Sequence, residues 1–229
     1  MSHAHMHGGG QAGAQAGAAD LPAPVDTPAW KLIATLSLAG ALAGLLVVIV
    51  YQWTLPSVLA HKALVMRSTV NEVLHHPARW DTLYLEGGAL TSTPRGERSE
   101  LATAFVGYDS TGKEVGVAVS AGEPGFLEVI NLMVGFDPAT GKLLGMKIMD
   151  QKETPGLGDK IEKDTVFATQ WPGLVAPLKA VKTRSGSNPN EVQAISGATI
   201  SSRAVTRIIN NAVAKWQPLL VAYKKQGAP

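Results

Sequence analysis

From Leu32 to Ala60 the chain carries no charged residue, and this run constrains the fold more than any other stretch. Its densest part, Leu32 to Tyr51, is twenty residues long. As an α-helix rising about 1.5 Å per residue it would span roughly 30 Å, the thickness of a bilayer's hydrocarbon core. Trp30 stands at one end and Tyr51 and Trp53 at the other, where aromatic residues collect at membrane–water boundaries. Gly40 and Gly44 either suit close packing against another membrane helix or are incidental on a lipid-facing one. A cleaved signal peptide is the rival reading, but its apolar core is shorter and lies nearer the start of a chain. A transmembrane anchor is therefore expected over residues 30–55. Lys31 flanks it on one side, and Lys62 and Arg67 on the other. That margin of one charge favours a cytoplasmic C-terminal part, a weak signal because long domains translocate largely regardless of charge.

Residues 1–29 are rich in His, Gly, Ala and Gln and then in Pro. Such a composition buries no core and reads as a disordered tail. His3, His5 and His7 alternate there and would hold a metal weakly or simply be solvated, so no fixed metal site is expected. The formal net charge of +2 is too small for a nucleic-acid surface. With no cysteine in the chain, disulfides, thiolate zinc sites and iron–sulfur clusters ligated by this protein are excluded. Redox chemistry would need an organic cofactor, haem or a His/carboxylate metal site.

Past the anchor, Leu59, Ala63, Met66, Val70 and Leu74 keep near-helical spacing, which predicts a helix over Val58–His76 stopped by Pro77. Residues 56–100 read as this helix and a connector. Two strand–turn–strand units follow: Thr103–Tyr108 with Glu114–Ala121, and Val129–Phe136 with Lys142–Met149. Each has Gly late in its turn. Their likeness reflects either an internal duplication or shared turn chemistry. A helical stretch near Ile161–Gln170, a strand at Glu191–Ile195 and a closing helix from about Ser202 complete the order. Val205, Ile208, Ile209, Ala212, Val213 and Trp216 form one apolar stripe on that helix, which Pro218 limits or kinks. Hairpins followed by helices define an α+β domain over residues 101–220, with a short tail over 221–229.

Two loops stand out as chemistry. Ser196-Gly197-Ala198-Thr199-Ile200-Ser201-Ser202 joins a strand to a helix. Unpaired N–H groups there suit a phosphate, although hydroxyls at such a place also serve as plain helix caps, with Ser201 or Ser202 as the capping residue. Glu153-Thr154-Pro155-Gly156-Leu157-Gly158 fixes one φ and frees two positions, which permits close approach by a ligand or makes an ordinary tight turn. The run Gly158-Asp159-Lys160 lacks the spacing of a nucleotide-binding P-loop. Lys182 and Arg184 would neutralise a phosphate or be solvated surface charges. No Ser/His/Asp arrangement appears.

Together and in this order, Glu153-Thr154-Pro155-Gly156-Leu157-Gly158-Asp159-Lys160-Ile161 and Ser196-Gly197-Ala198-Thr199-Ile200-Ser201-Ser202 resemble the FMN-binding domain of ion-pumping redox complexes. The resemblance covers about residues 30–220. It is nearest to the G subunit of the Rnf complex, a ferredoxin:NAD⁺ oxidoreductase, and the C subunit of the Na⁺-translocating NADH:quinone reductase shares the pattern. It implies FMN joined by a phosphoester to Thr199, attached by a separate flavin transferase. Thr199 is then a tether, and no residue acts as a catalytic acid or base. By the same resemblance Ser196, Gly197, Ala198 and Ser201 surround the phosphate. Glu153, Thr154, Gly156 and Leu157 contact the isoalloxazine ring, Phe126 borders it, and Lys182 lies beside the cofactor. Family members commonly carry Asp six residues before the tethering threonine, where this chain has Gln193.

The implied protein is a single-pass inner-membrane flavoprotein subunit of an ion-translocating oxidoreductase, with its FMN domain periplasmic and its partners the other membrane and peripheral subunits. It would relay electrons while the complex moves Na⁺ or H⁺. The alternatives are a C-type subunit of the quinone reductase, and an anchored assembly or binding module without flavin, of which Gln193 would be the first sign.

Overall fold

A computed structural model describes residues 28–96 and 101–225; most of the tail expected to be disordered lies outside the described residues. The chain divides into two compact units after Pro56. The first contains the apolar part of helix α1, Ala29–Val73, which is the one helix among the described residues long and apolar enough to cross a membrane. Its side chains from Leu32 to Tyr51 are exposed to their surroundings, as expected of residues that face lipid. The sequence suggests an anchor and then a separate helix from Val58, but α1 is continuous through Pro56. It also ends at Val73 rather than at His76. His75 and His76 take left-handed backbone angles, φ 56° and 58°, and His76 N–H donates to Asn71 O at 2.7 Å. This closes the helix before Pro77 is reached.

In the second unit, β1 (Arg79–Glu86), β2 (Ala89–Thr91), β3 (Ala102–Tyr108), β4 (Glu114–Pro124), β5 (Val129–Phe136) and β6 (Leu143–Asp150) form one antiparallel sheet in the order β2-β1-β3-β4-β5-β6. β3–β4 and β5–β6 are the two hairpins expected from the sequence. Their turns are held alike: Asp109 Oδ1 accepts from Thr111 N–H at 2.8 Å, and Asp137 Oδ1 from Ala139 N–H at 2.9 Å. Gly112 and Gly141 supply the positive φ each turn needs, 82° and 71°. Shared turn chemistry is therefore sufficient to explain their likeness. β1 and β2 fall where the sequence suggests a helix and connector.

Both faces of the sheet are covered. Alternation along β5 sends Ile130, Leu132, Val134 and Phe136 to one face and Met133 to the other. The first face packs against α4 (Thr199–Lys225), whose expected stripe of Val205, Ile208, Ile209, Ala212, Val213 and Trp216 is buried throughout. The second face packs against Val70, Val73 and Leu74 at the end of α1. Gly135 and Gly145 pair across β5 and β6 and admit that helix end closely. A Cβ on Gly135 would lie 2.6 Å from Val73 Cγ1 and 2.9 Å from Val73 O.

Between β6 and α4 the chain makes α2 (Lys160–Lys163), α3 (Thr165–Thr169), β7 (Lys179–Val181) and β8 (Glu191–Gln193). The single helical stretch expected over Ile161–Gln170 is split at Asp164. This residue is extended and caps α3 by accepting from Phe167 N–H at 2.9 Å. β7 and β8 pair in parallel, and the turn after β8 delivers the chain into α4. Pro218 does not end α4, which continues to Lys225 and takes in part of the expected tail.

Candidate functional site

The closing helix begins at Thr199, not near Ser202. This one-turn shift changes the role of each hydroxyl. Ser202 is fully buried; its Oγ donates to Ala198 O at 2.9 Å and accepts from Ile195 N–H at 3.1 Å. Ser201 is buried and donates to Glu153 Oε2. Both therefore brace the turn from inside and do not cap the helix. Thr199 is half-buried, and its hydroxyl has one long contact, to Ile195 O at 3.5 Å. Gly197, with φ 83°, turns the chain into the helix. The backbone N–H groups of Thr199, Ile200 and Ser201 have no acceptor among the described residues. They open the helix at its positive end.

Against this turn lies an open cavity of about 280 Å³ lined by Phe126, Thr154, Leu157, Gly158 and Gly197 to Ser201. Its rim is apolar and solvent-facing: Phe126 is 62% exposed, Leu157 50% and Ile200 57%. Exposed apolar side chains around free N–H donors offer a flat aromatic ring a platform and an attached anion its hydrogen bonds. The cradle is consistent with FMN. On its wall, a Cβ on Gly197 would meet only Leu157 Cδ2, at 3.9 Å.

The loop from Glu153 to Gly158 is fixed locally. Leu157 and Asp159 donate backbone N–H bonds to Thr154 O at 3.1 and 3.4 Å. Asp159 is buried and paired with Lys163 Nζ at 2.6 Å, which holds its carboxyl below the usual range despite burial. The segment carrying Phe126 is fixed from α4. Arg207 Nε donates to Glu123 Oε2 at 3.0 Å, Arg207 Nη2 to Pro124 O at 2.6 Å, and Asn211 Nδ2 to Glu123 Oε1 at 2.7 Å.

Of the residues singled out from the sequence, the structure brings Phe126, Thr154, Leu157, Gly197, Ala198, Thr199 and Ser201 to one cavity. Ser196 instead lines a neighbouring cavity of about 350 Å³ with Lys160, Asp164, Phe167 and Gln193. Gly156 is exposed in the loop outside the lining, and Glu153 is buried beneath it, 4% exposed. Lys182 is exposed just past β7, whose last carbonyl, Val181 O, accepts from Ala194 N–H; it lines neither cavity. Sequence reading missed Gly158 and Ile200 as lining residues. An isoleucine directly after the threonine, on the polar side of an amphipathic helix, was the available signal.

Residues 125–214 match the FMN-binding domain family, and the whole cavity lies within that stretch. Over 183 residues the chain is 28% identical to the G subunit of the ion-translocating oxidoreductase complex of Methanosarcina acetivorans, covering 80% of this chain and 92% of that one. It is 36% identical to the G subunit of the Na(+)-translocating ferredoxin:NAD(+) oxidoreductase complex of Acetobacterium woodii, over 52% of this chain and 58% of that one. It is 37% identical to the G subunit of the proton-translocating ferredoxin:NAD(+) oxidoreductase complex of Clostridium ljungdahlii, over 44% and 53%. The matches to these last two thus span little more than half their length. The crystal structure of Shewanella oneidensis NqrC superposes with a TM-score of 0.58 at 19% identity, covering 71% of this chain and 99% of that one, and so has the same fold. Fold and family match together define an α+β protein whose residues 125–214 match the FMN-binding domain family, with an apolar helix able to span a membrane. Within that class the chain is similar to the G subunits of Rnf-type ion-translocating oxidoreductases.

Proposed function

We propose that the chain is a membrane-anchored electron relay carrying FMN as a phosphoester on Thr199, within an Rnf-type complex that couples ferredoxin and NAD⁺ to movement of Na⁺ or H⁺. The observation that carries the tether is the inequality among the three hydroxyls of the first turn of α4. Ser201 and Ser202 are buried and engaged, whereas Thr199 is half-buried, lines the cavity, and has one long hydroxyl contact. When bound, FMN supplies one- or two-electron redox chemistry that none of the side chains can perform.

The chain supplies position. The free N–H groups of Thr199, Ile200 and Ser201 face the phosphate, and Phe126, Thr154 and Leu157 border the ring. Maturation requires a separate flavin transferase, and the other subunits of the complex are the electron donor and acceptor. The FMN domain is assigned to the periplasmic or exterior side, against the one-charge margin in the flanking residues.

The chain is purified, denatured and precipitated. Flavin colour in the pellet, with an FMN mass adduct on the peptide from Ile195 to Arg203, is expected. Colour left wholly in the supernatant would overturn the bond and favour a flavin-less anchored module. A reporter fused after residue 229 tests orientation: activity only in a cytoplasm-dependent reporter would overturn the periplasmic assignment.

A further inference from the structure

Three segments far apart in sequence meet at one buried carboxylate. Glu153 Oε1 accepts the backbone N–H groups of Phe126 and Leu127, each at 3.0 Å, and Oε2 accepts the Ser201 hydroxyl. Its own N–H donates to Gln151 Oε1 at 2.8 Å. Two glycines make room for it. A Cβ on Gly125 would lie 2.5 Å from Oε1, and one on Gly158 would lie 2.6 Å from Oε2 and 3.0 Å from Ser201 Oγ. A carboxylate buried this far is costly unless its lone pairs are used, and both oxygens here are engaged. Each segment tied at this point also lines the cavity: Phe126 from the first, Thr154, Leu157 and Gly158 from the second, Thr199 to Ser201 from the third.

We propose that Glu153 is a positioning residue for the flavin. It does not contact the ring, but holds Phe126 and the Thr154–Gly158 loop at a fixed distance from Thr199, so that the ring settles in one orientation. The inference rests on the FMN reading of the cavity and corrects the ring contact expected of this residue.

The test uses the full chain, matured in cells, as native protein and as Glu153→Ala, Glu153→Gln and Ser201→Ala. Flavin per chain, loading rate, visible circular dichroism of the bound flavin and its midpoint potential are measured beside the melting temperature. Glu153→Ala should slow loading roughly a hundredfold, the scale of a 1 Å misplacement, and weaken the dichroism of any flavin attached. Glu153→Gln keeps an acceptor oxygen for both N–H groups and should restore both. If Glu153→Ala does not fold, Ser201→Ala removes one of the contacts and the same readouts decide. A variant that melts earlier but keeps native loading, dichroism and potential would make Glu153 a structural brace and overturn the proposal. A native chain without flavin would overturn the underlying reading first, and this one with it.

Discussion

Thr199 and Ser201 are two residues apart, yet their hydroxyls differ: that of Thr199 has one long contact, to Ile195 O, and that of Ser201 donates a hydrogen bond to a buried carboxylate. Thr199→Val keeps the shape and removes the nucleophile. It should abolish the FMN adduct while changing stability by no more than about 0.5 kcal/mol, read by peptide mass and urea unfolding. Thr199→Ser should retain the adduct. Burial alone would raise the carboxyl pKa of Glu153, but the Ser201 hydroxyl and the N–H groups of Leu127, Glu128 and Phe126 outweigh it and hold the group below its ordinary value. A depressed folded pKa stabilises the protein above the unfolded value, near 4.3, and that contribution is lost as pH falls through the folded value. The stability gap between native protein and Glu153→Gln should therefore be widest at neutral pH and narrow below about pH 4, measured by urea unfolding across that range. Gly158→Ala places a methyl against the same carboxylate and should cost about 1–3 kcal/mol in the same assay.

Between elements, side-chain amides do work that strand ladders usually do. Asn210 on α4 accepts from Leu178 N–H at 2.7 Å and donates to Leu178 O at 2.9 Å. Gln170 does the same for the backbone of Gln193 on β8, at 2.8 and 3.1 Å. Asn210→Ala leaves both backbone groups of Leu178 without these partners and should cost about 1–3 kcal/mol. Ile208→Ala on the buried stripe should cost about 2–5 kcal/mol. Both are checked by denaturant unfolding.

These two substitutions mark what was legible in the sequence. The stripe containing Ile208 and the two hairpins were legible, because burial imposes a period and turns impose Asp and Gly. The Asn210 clamp was not, since no period marks an amide that serves another segment's backbone. β1 is harder to read: Leu83 and Leu85 alternate with Thr82 and Tyr84, but only Leu83 is buried, so the two-residue period is weak. The split at Asp164 is not legible, because a capping aspartate between two short helical turns leaves the same spacing of Ile161, Phe167 and Ala168 as one amphipathic helix. At the site, the two motifs were legible as loops, but the buried position of Glu153 depends on Gly125, which lies outside both.

For the molecule as a whole, the division after Pro56 falls within α1 and sets its apolar part apart from a domain with its own core. A chain beginning at Ser57 should leave the membrane fraction for the soluble one while keeping its far-ultraviolet dichroism, assayed by fractionation and spectroscopy. The cavity beside Thr199 is small, about 280 Å³, and open. A site of that kind exchanges an unbonded occupant with the surroundings, and its occupancy follows the free pool. Under the proposed phosphoester, occupancy is instead a record of the chain's history. Each copy is either loaded for life during maturation or never, and the redox capacity of a membrane is then a count of chains loaded when they were made, indifferent to how much flavin the cell later holds.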